Sequence, residues 1–261
     1  PEGWSLYESR FAMWPSEISR SGIPQWRGEP LNGKSLLIWP EQGLGDEIQM
    51  ARFAPRLREM GAIVVLVCTP ALARLFQSLG VTVAPLVDGL NLPRTHYQTP
   101  VFSTPNQLGL ELQGLSGAPY LRAPADPHRG GVGFVWKGSP DHPNDANRSL
   151  PSPALLDPLR DHAELIDLQV PQGDFLDTAR RVQALDLVIT VDTSMAHLCG
   201  ALGVPCWVML SQPADWRWLR QGDRTPWYDS LRLYRQPAPG DWTSVIEAMR
   251  RDLARMRTNE H

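Results

Sequence analysis

A chain of 261 residues with 42% hydrophobic composition can bury one large core or two of ordinary domain size, and the alternation traced below favours two. A formal net charge of -3, with Lys and Arg dispersed, provides no extended basic field and argues against a nucleic-acid partner. No apolar run approaches the ~20 residues that span a bilayer, and no basic-then-apolar signal segment opens the chain, so a soluble, cytoplasmic protein with no membrane span is expected. Cys68, Cys199 and Cys206 have no CxxC spacing and fall in apolar patterns, which reads as buried free thiols rather than a disulfide or zinc site. Proline, at 25 residues, is about twice as frequent as usual and implies many sharp turns between short elements.

The first 30 or so residues are rich in Trp, Pro and Gly, and Trp4, Tyr7, Phe11, Trp14 and Trp26 follow no steady period, as in a segment that wraps a surface. After them, Ser35 to Trp39 reads as a strand, 46–60 as a helix, 62–68 as a strand, 71–79 as a helix and 81–83 as a strand. Within the first helix Ile48, Phe53, Leu57 and Met60 recur at helical spacing and should face the core, while Pro55 should kink the helix or lie near its start. Residues 91–113 are mixed and turn-rich, and 117–127, with three prolines, look like a linker. Alternation then resumes with strand 131–136, a short helix over 153–159, strand 164–168, helix 175–184, strand 187–191, helix 195–202 and strand 206–210. The last element, 242–256, is an amphipathic helix with Val245, Ile246, Met249 and Leu253 on one face. Strands alternating with helices predict parallel sheets with helical crossovers, here as two Rossmann-like halves, 1–122 and 123–261, joined by the proline-rich stretch.

Two strand-to-helix junctions carry the chemistry. In Glu41-Gln42-Gly43-Leu44-Gly45-Asp46-Glu47-Ile48-Gln49, Gly43 and Gly45 let the backbone turn, and Asp46 falls in the first helical turn, where the positive end of the macrodipole favours its ionised form. A carboxylate there repels phosphate, and Ile48 replaces the third glycine of the dinucleotide fingerprint, so Asp46 reads as a base. In Val191-Asp192-Thr193-Ser194-Met195-Ala196-His197, two hydroxyls and backbone N–H groups head a helix. That is either an anion site or ordinary N-capping by Asp192 or Thr193. His197 lies within a turn of it and is either a donor to a phosphate or sugar oxygen or a satisfied core histidine.

Lys137, Ser139 and Arg148 follow the first strand of the second half. They could share a crevice with Thr193, because open parallel sheets bind ligands beyond the carboxyl ends of their strands; singly, each is a solvated loop residue. The run Asp215-Trp216-Arg217-Trp218 with Thr225-Pro226-Trp227-Tyr228 either shapes a pocket for a base or sugar or plugs a domain seam. No Asp-x-Asp pair and no metal-ligand spacing occurs, so no metal is expected.

Taken together, the segments at 41–49, 136–149 and 191–203 resemble glycosyltransferase family 9, and are most similar to the heptosyltransferase-like domains that follow tetratricopeptide repeats in bacterial proteins. Asp215-Trp216-Arg217-Trp218, Pro226-Trp227-Tyr228 and Leu233-Tyr234-Arg235-Gln236-Pro237 share that resemblance, which covers nearly the whole chain in order. It implies an α/β fold of GT-B type, in which an acceptor-binding N-terminal half and a donor-binding C-terminal half face each other across a cleft. The implied reaction is inverting, metal-independent transfer from a nucleotide sugar to a hydroxyl of a bacterial surface glycan or protein, with no cofactor beyond that substrate. On this resemblance Asp46 is the base, and Asp192, Thr193 and His197, with Ser194, lie at the donor. Arg148, ahead of Pro151, contacts donor phosphate beside Lys137 and Ser139. Glu41, Gln42, Gly43, Gly45, Gln49, Asp215, Trp216 and Trp218 are expected along the cleft, and upstream tetratricopeptide repeats become a candidate partner.

Two departures bear on this expectation. Ser149-Leu150 precede Pro151 where heptosyltransferases favour an aromatic, and 168–175 is shorter than the loop expected to recognise base and ribose. The first argues against heptose as the donor sugar; the second, with the surface tryptophans, supports an alternative, a non-catalytic GT-B-like binding or scaffold domain. A nucleotide-sugar epimerase on the same two-domain plan is disfavoured because the motifs resemble transferases.

Overall fold

A computed structural model describes residues 2–13, 22–127, 130–170 and 172–259. Trp14 of the N-terminal aromatic set lies outside the described residues, as does Pro171 within 168–175. The chain forms two compact units, one of Pro1–Leu115 with Tyr120–Arg122 and Asp174–Leu176, the other of Ser116–Pro119, Ala123–Gly173 and Asp177–His261.

In the first unit, short helices α1 (Glu2–Tyr7) and α2 (Arg10–Met13) precede β1 (Ser35–Trp39), α3 (Leu44–Ala51), α4 (Phe53–Glu59), β2 (Ile63–Cys68), α5 (Ala73–Phe76), β3 (Thr82–Pro85), β4 (Tyr97–Pro100) and α6 (Thr104–Gln107). The strands are parallel in the order β3-β2-β1-β4. Apolar runs such as Ile63–Cys68 suit strands covered on both faces, and Leu36, Leu37 and Ile38 of central β1 are buried. The expected helix 46–60 is two helices separated at Arg52. Pro55, in the first turn of α4, has no N–H to donate to the Ala51 carbonyl. Ile48, Phe53 and Leu57 are core, but Met60 is exposed beyond the end of α4.

The expected helix 71–79 is likewise only one turn of α-helix, α5, between the 3-10 turns Pro70–Leu72 and Gln77–Leu79, and it stops at left-handed Gly80. Strand β4 falls in the stretch read as turn-rich. Its Gln98 and Thr99 are buried, and the Gln98 side chain accepts from Trp39 Nε1 at 2.9 Å and donates to the Ile23 carbonyl at 2.7 Å. The N-terminal extension does wrap this edge, with Trp26 N–H donating to the Gln98 carbonyl and Gln98 N–H to the Pro24 carbonyl.

The second unit contains β5 (Val132–Val135), α7 (Asp145–Arg148), β6 (Leu165–Asp167), most of α8 (Phe175–Val182), β7 (Leu187–Val191), α9 (Ser194–Leu202), β8 (Cys206–Leu210), β9 (Leu231–Arg235) and α10 (Trp242–Asn259). These strands are also parallel, in the order β6-β5-β7-β8-β9. Pro153–Leu159 is a 3-10 helix rather than an α-helix, with Pro158 inside it. Strand β9, not expected as a strand, buries Leu231, Leu233 and Tyr234. Val245, Ile246, Met249 and Leu253 of α10 pack in the core with Ile189 and Met209, as their spacing predicts. Cys68, Cys199 and Cys206 are buried and free.

Each sheet has a point where successive connections leave in opposite directions. In the first unit it lies between β1 and β4, and in the second between β5 and β7. Crevices at such points, beyond the carboxyl ends of the strands, are where open parallel sheets bind ligands. Both motif loops emerge there.

Candidate active site

The first crevice is built by the β1–α3 loop. Its tight turn is made not by Gly43 or Gly45 but by Gln42, which holds a left-handed backbone at φ 62°. Gly43 is the extended N-cap at φ -100°, and Gly45 is already inside α3. Asp46, the third helical residue, accepts the Gly43 N–H on Oδ2 at 3.1 Å, the carboxylate half of a capping box. Asp46 is partly exposed.

Its neighbours divide sharply in role. Glu41 accepts Arg10 Nε at 2.8 Å and Arg10 Nη2 at 3.1 Å on its two oxygens, together with the Phe102 N–H at 3.0 Å. Gln42 Nε2 donates to the Tyr7 hydroxyl. Glu47 is buried and accepts from Thr69 N–H at 2.9 Å and from the Thr69 hydroxyl. Burial raises its pKa, a tendency the Thr69 donors oppose and the Asp46 charge reinforces. Gln49 is fully buried. Glu41 and Gln49, expected along a cleft, are thus parts of the scaffold under the loop.

The second crevice gathers residues from four strand ends. After β5, Lys137 and Ser139 are exposed, and the loop then folds back so that Arg148 Nε lies 3.6 Å from Asp145 Oδ1. Asp145 also accepts the Ser149 hydroxyl at 2.7 Å, and Ser149 Oγ accepts the Gly138 N–H at 2.8 Å. The absence of a side chain at Gly138 lets Arg148 and Asp145 close on this loop, since a Cβ would stand 2.7 Å from both Arg148 Nη2 and Asp145 Oδ1 and displace them. From the end of β6, Gln169 braces this loop: Oε1 accepts the N–H groups of Trp136 and Lys137, and Nε2 donates to the Lys137 carbonyl.

After β7, Thr193 is the N-cap of α9. Its hydroxyl accepts the Met195 N–H at 3.2 Å and lies 3.1 Å from Thr190 Oγ1. Capping therefore occupies Thr193, while Ser194 opens the helix. The Asp192 carboxyl titrates above the usual aspartate range, first because it is desolvated; the Trp218 indole and the Arg217 and Arg148 guanidiniums pull the other way, and Asp215 adds to the rise. Arg148, Asp192 and the Asp215–Trp218 loop are thereby brought together. His197 is a buried histidine whose Nδ1 lies 2.9 Å from the Tyr228 hydroxyl and whose ring stacks on Trp218 at 5.3 Å. Its burial and these contacts match the core-histidine alternative.

Following β8, Asp215 caps the 3-10 turn Trp216–Trp218 by accepting the Arg217 N–H at 3.1 Å, and pairs with Arg217 Nη1 at 3.3 Å. The two tryptophans have opposite environments: Trp218 is 0% exposed and Trp216 51%. Only Trp216 offers a ring to a ligand, with Arg217 over it at 5.2 Å. Leu219 follows at φ 61° and ψ 175°, a region otherwise nearly reserved for glycine. Arg235 grips this turn through the carbonyls of Trp218, Leu219 and Gly222.

Sequence reasoning did not single out Arg10, Glu47, Gln169 or Arg217. Arg217 lies between the two tryptophans of a motif already noted, whereas Arg10 is paired across 31 residues and leaves no local signal. Among the described residues no group of three or more His, Cys, Asp or Glu could hold a metal ion, and no helix is long and apolar enough to cross a membrane.

These two parallel α/β units define a glycosyltransferase-like architecture of the GT-B type. Within that class, solved structures that resemble the chain include heptosyltransferases and a family 9 glycosyltransferase, so the fold is heptosyltransferase-like. The iron-containing dodecameric glycosyltransferase TibC of enterotoxigenic E. coli H10407 superposes with a TM-score of 0.58 at 12% identity, over 82% of this chain and 66% of that one. A family 9 glycosyltransferase of Veillonella parvula DSM 2008 gives 0.54 at 12% identity over 86% and 91%. E. coli heptosyltransferase WaaC with ADP gives 0.52 at 11% over 85% and 98%. No protein-family model matches the chain. Protein FlbA of Caulobacter vibrioides is 26% identical over 308 residues, covering 94% of this chain and 51% of FlbA. The chain thus spans about half the length of the curated relative it matches.

Proposed function

We propose that the chain is a glycosyltransferase moving a sugar from a nucleoside-diphosphate sugar to a hydroxyl acceptor, with inversion and without a metal ion. The observation that carries this reading is the position of both motif loops at the switch points of their sheets, with the partly exposed carboxylate of Asp46 in one and cations in the other. The first unit takes the acceptor, a glycan or a protein, and the second takes the donor. ADP is the nucleotide of WaaC and ADP-D-beta-D-heptose that of TibC in their solved complexes, which supports a diphosphate site after β5 and β7. The proposed setting is the cytoplasm, and tetratricopeptide repeats upstream would present a protein acceptor.

The chemistry is a single displacement. Asp46 takes the proton of the acceptor hydroxyl as its oxygen bonds to the anomeric carbon, and the bond from that carbon to the diphosphate breaks on the opposite face. Base assistance of this kind is worth roughly 10²- to 10⁴-fold. Charge gathering on the departing diphosphate is met by Arg148, by Lys137 and by the start of α9. There the Met195 and Ala196 N–H groups are taken by Thr193 Oγ1 and the Thr193 carbonyl, so Ser194 supplies the amide and hydroxyl for the ligand. Trp216 provides a flat face for the base or sugar.

Calorimetric titration with ADP, GDP, UDP and CDP tests the donor half. Saturable binding of at least one, lost on Arg148→Ala, is expected. A second reading, a non-catalytic GT-B-like scaffold, is favoured by the brevity of the link between Asp167 at the end of β6 and Phe175 at the start of α8. Failure of all four nucleotides to bind would select it.

A further inference from the structure

We infer that Arg10, in the N-terminal extension, is a positioning residue for Asp46; this rests on the reading of Asp46 as the base. All five guanidinium donors are engaged around one point. Nε and Nη2 meet the two oxygens of Glu41 at 2.8 and 3.1 Å, Nη2 also meets Ser103 Oγ at 2.9 Å, and Nη1 meets the Tyr7 carbonyl at 3.1 Å and Glu8 Oε1 at 3.0 Å. The side chains of Arg10 and Glu41 are only 11% and 18% exposed. Ser103 Oγ in turn donates to Glu8 at 3.1 Å, and Phe102 N–H donates to Glu41 at 3.0 Å. One cation thus ties the extension, the residues after β4 and the start of the β1–α3 loop into a single cluster.

The consequence follows from where Glu41 sits. It immediately precedes Gln42, the left-handed residue whose side chain donates to Tyr7, and Gly43, whose N–H holds the Asp46 carboxylate. Fixing Glu41 and Gln42 fixes the N-cap, and the N-cap fixes the base. A planar fork that meets both carboxylate oxygens sets orientation as well as distance, which a lysine ammonium cannot do. A misplacement of about 1 Å at a reacting group costs up to ~100-fold in rate, so a contact that never touches substrate can govern turnover.

The test compares wild type with Arg10→Met, Arg10→Lys and the pair Arg10→Met/Glu41→Gln, the last avoiding a buried unpaired carboxylate. Hydrogen exchange in peptides covering 40–47 should quicken roughly tenfold or more in the two methionine variants and less in Arg10→Lys, with peptides from β2 and β7 unchanged. Unchanged exchange over 40–47 would overturn the inference. Transfer from a panel of ADP-, GDP-, UDP- and CDP-sugars supplies the second readout. Arg10→Met should lower kcat roughly tenfold in the wild-type background and less than about twofold when Asp46→Asn is already present, with ADP affinity unaffected. Equal losses in both backgrounds would overturn positioning through Asp46. If the wild type transfers no sugar, the base reading fails, and the exchange result alone decides whether Arg10 clamps the loop.

Discussion

Replacing Asp46 by Asn separates its two roles. The carboxylate accepts the Gly43 N–H at 3.1 Å, and an amide oxygen can accept the same bond, so the N-cap survives. What is lost at the helix start is a charge on the favourable end of the dipole, about 0.3–1 kcal/mol of stability. Loss of the base should instead cost roughly 10²- to 10⁴-fold in the chemical step, or about 3–5 kcal/mol at ~1.4 kcal/mol per decade. The catalytic effect therefore exceeds the structural one several-fold. Single-turnover transfer from the nucleotide-sugar panel, measured beside urea unfolding and ADP titration, checks both. Transfer within about threefold of wild type, with ADP affinity and unfolding midpoint unchanged, would refute the assignment of Asp46.

Other perturbations probe the second crevice and the scaffold. Gly138→Ala places a Cβ 2.7 Å from Arg148 Nη2 and Asp145 Oδ1; ADP affinity should fall about tenfold, the ~1.4 kcal/mol expected for a displaced charge-assisted contact, as read by calorimetry. Tyr228→Phe leaves buried His197 Nδ1 without the hydroxyl it meets at 2.9 Å and should cost about 1–3 kcal/mol in urea unfolding. Glu47 supplies a pH test. Its pKa is raised from the ordinary 4.5, first by burial, so the folded state holds its proton more tightly than the unfolded chain. Its contribution is complete below the unfolded pKa and is lost as pH rises through the folded one. Wild-type stability relative to Glu47→Gln should therefore decline as pH is raised from about 4.5 toward neutrality, as urea midpoints across that range would show.

The parts legible in the sequence are those decided by local pattern. Continuous apolar runs at Leu36–Ile38 and Val64–Cys68 leave parallel strands as the economical solution, and a loop followed by acids marks the start of α3. Strand β4 is invisible to that logic because Tyr97, Gln98, Thr99 and Pro100 are mostly polar; Gln98 tolerates burial only because Trp39 and Ile23 complete its hydrogen bonds. The left-handed turn falls on Gln42 although glycine follows it immediately, since the side-chain bond to Tyr7 and the Glu41 clamp hold a backbone that composition would not nominate. Trp216 and Trp218 share a motif and a residue type. Their divergent fates depend in part on His197 of α9, whose ring stacks on Trp218. Long-range pairing, rather than residue chemistry, is what the sequence conceals.

The grip of Arg235 on the turn after β8 changes how Trp216 must be regarded. The carbonyls of Trp218, Leu219 and Gly222 are all held by one guanidinium, and Leu219 keeps its unusual torsions under that restraint. A surface loop of this kind has already given up most of its conformational entropy during folding. A ring docking on Trp216 would meet a wall set in advance, and the free energy of contact would go into affinity with little spent on ordering the protein.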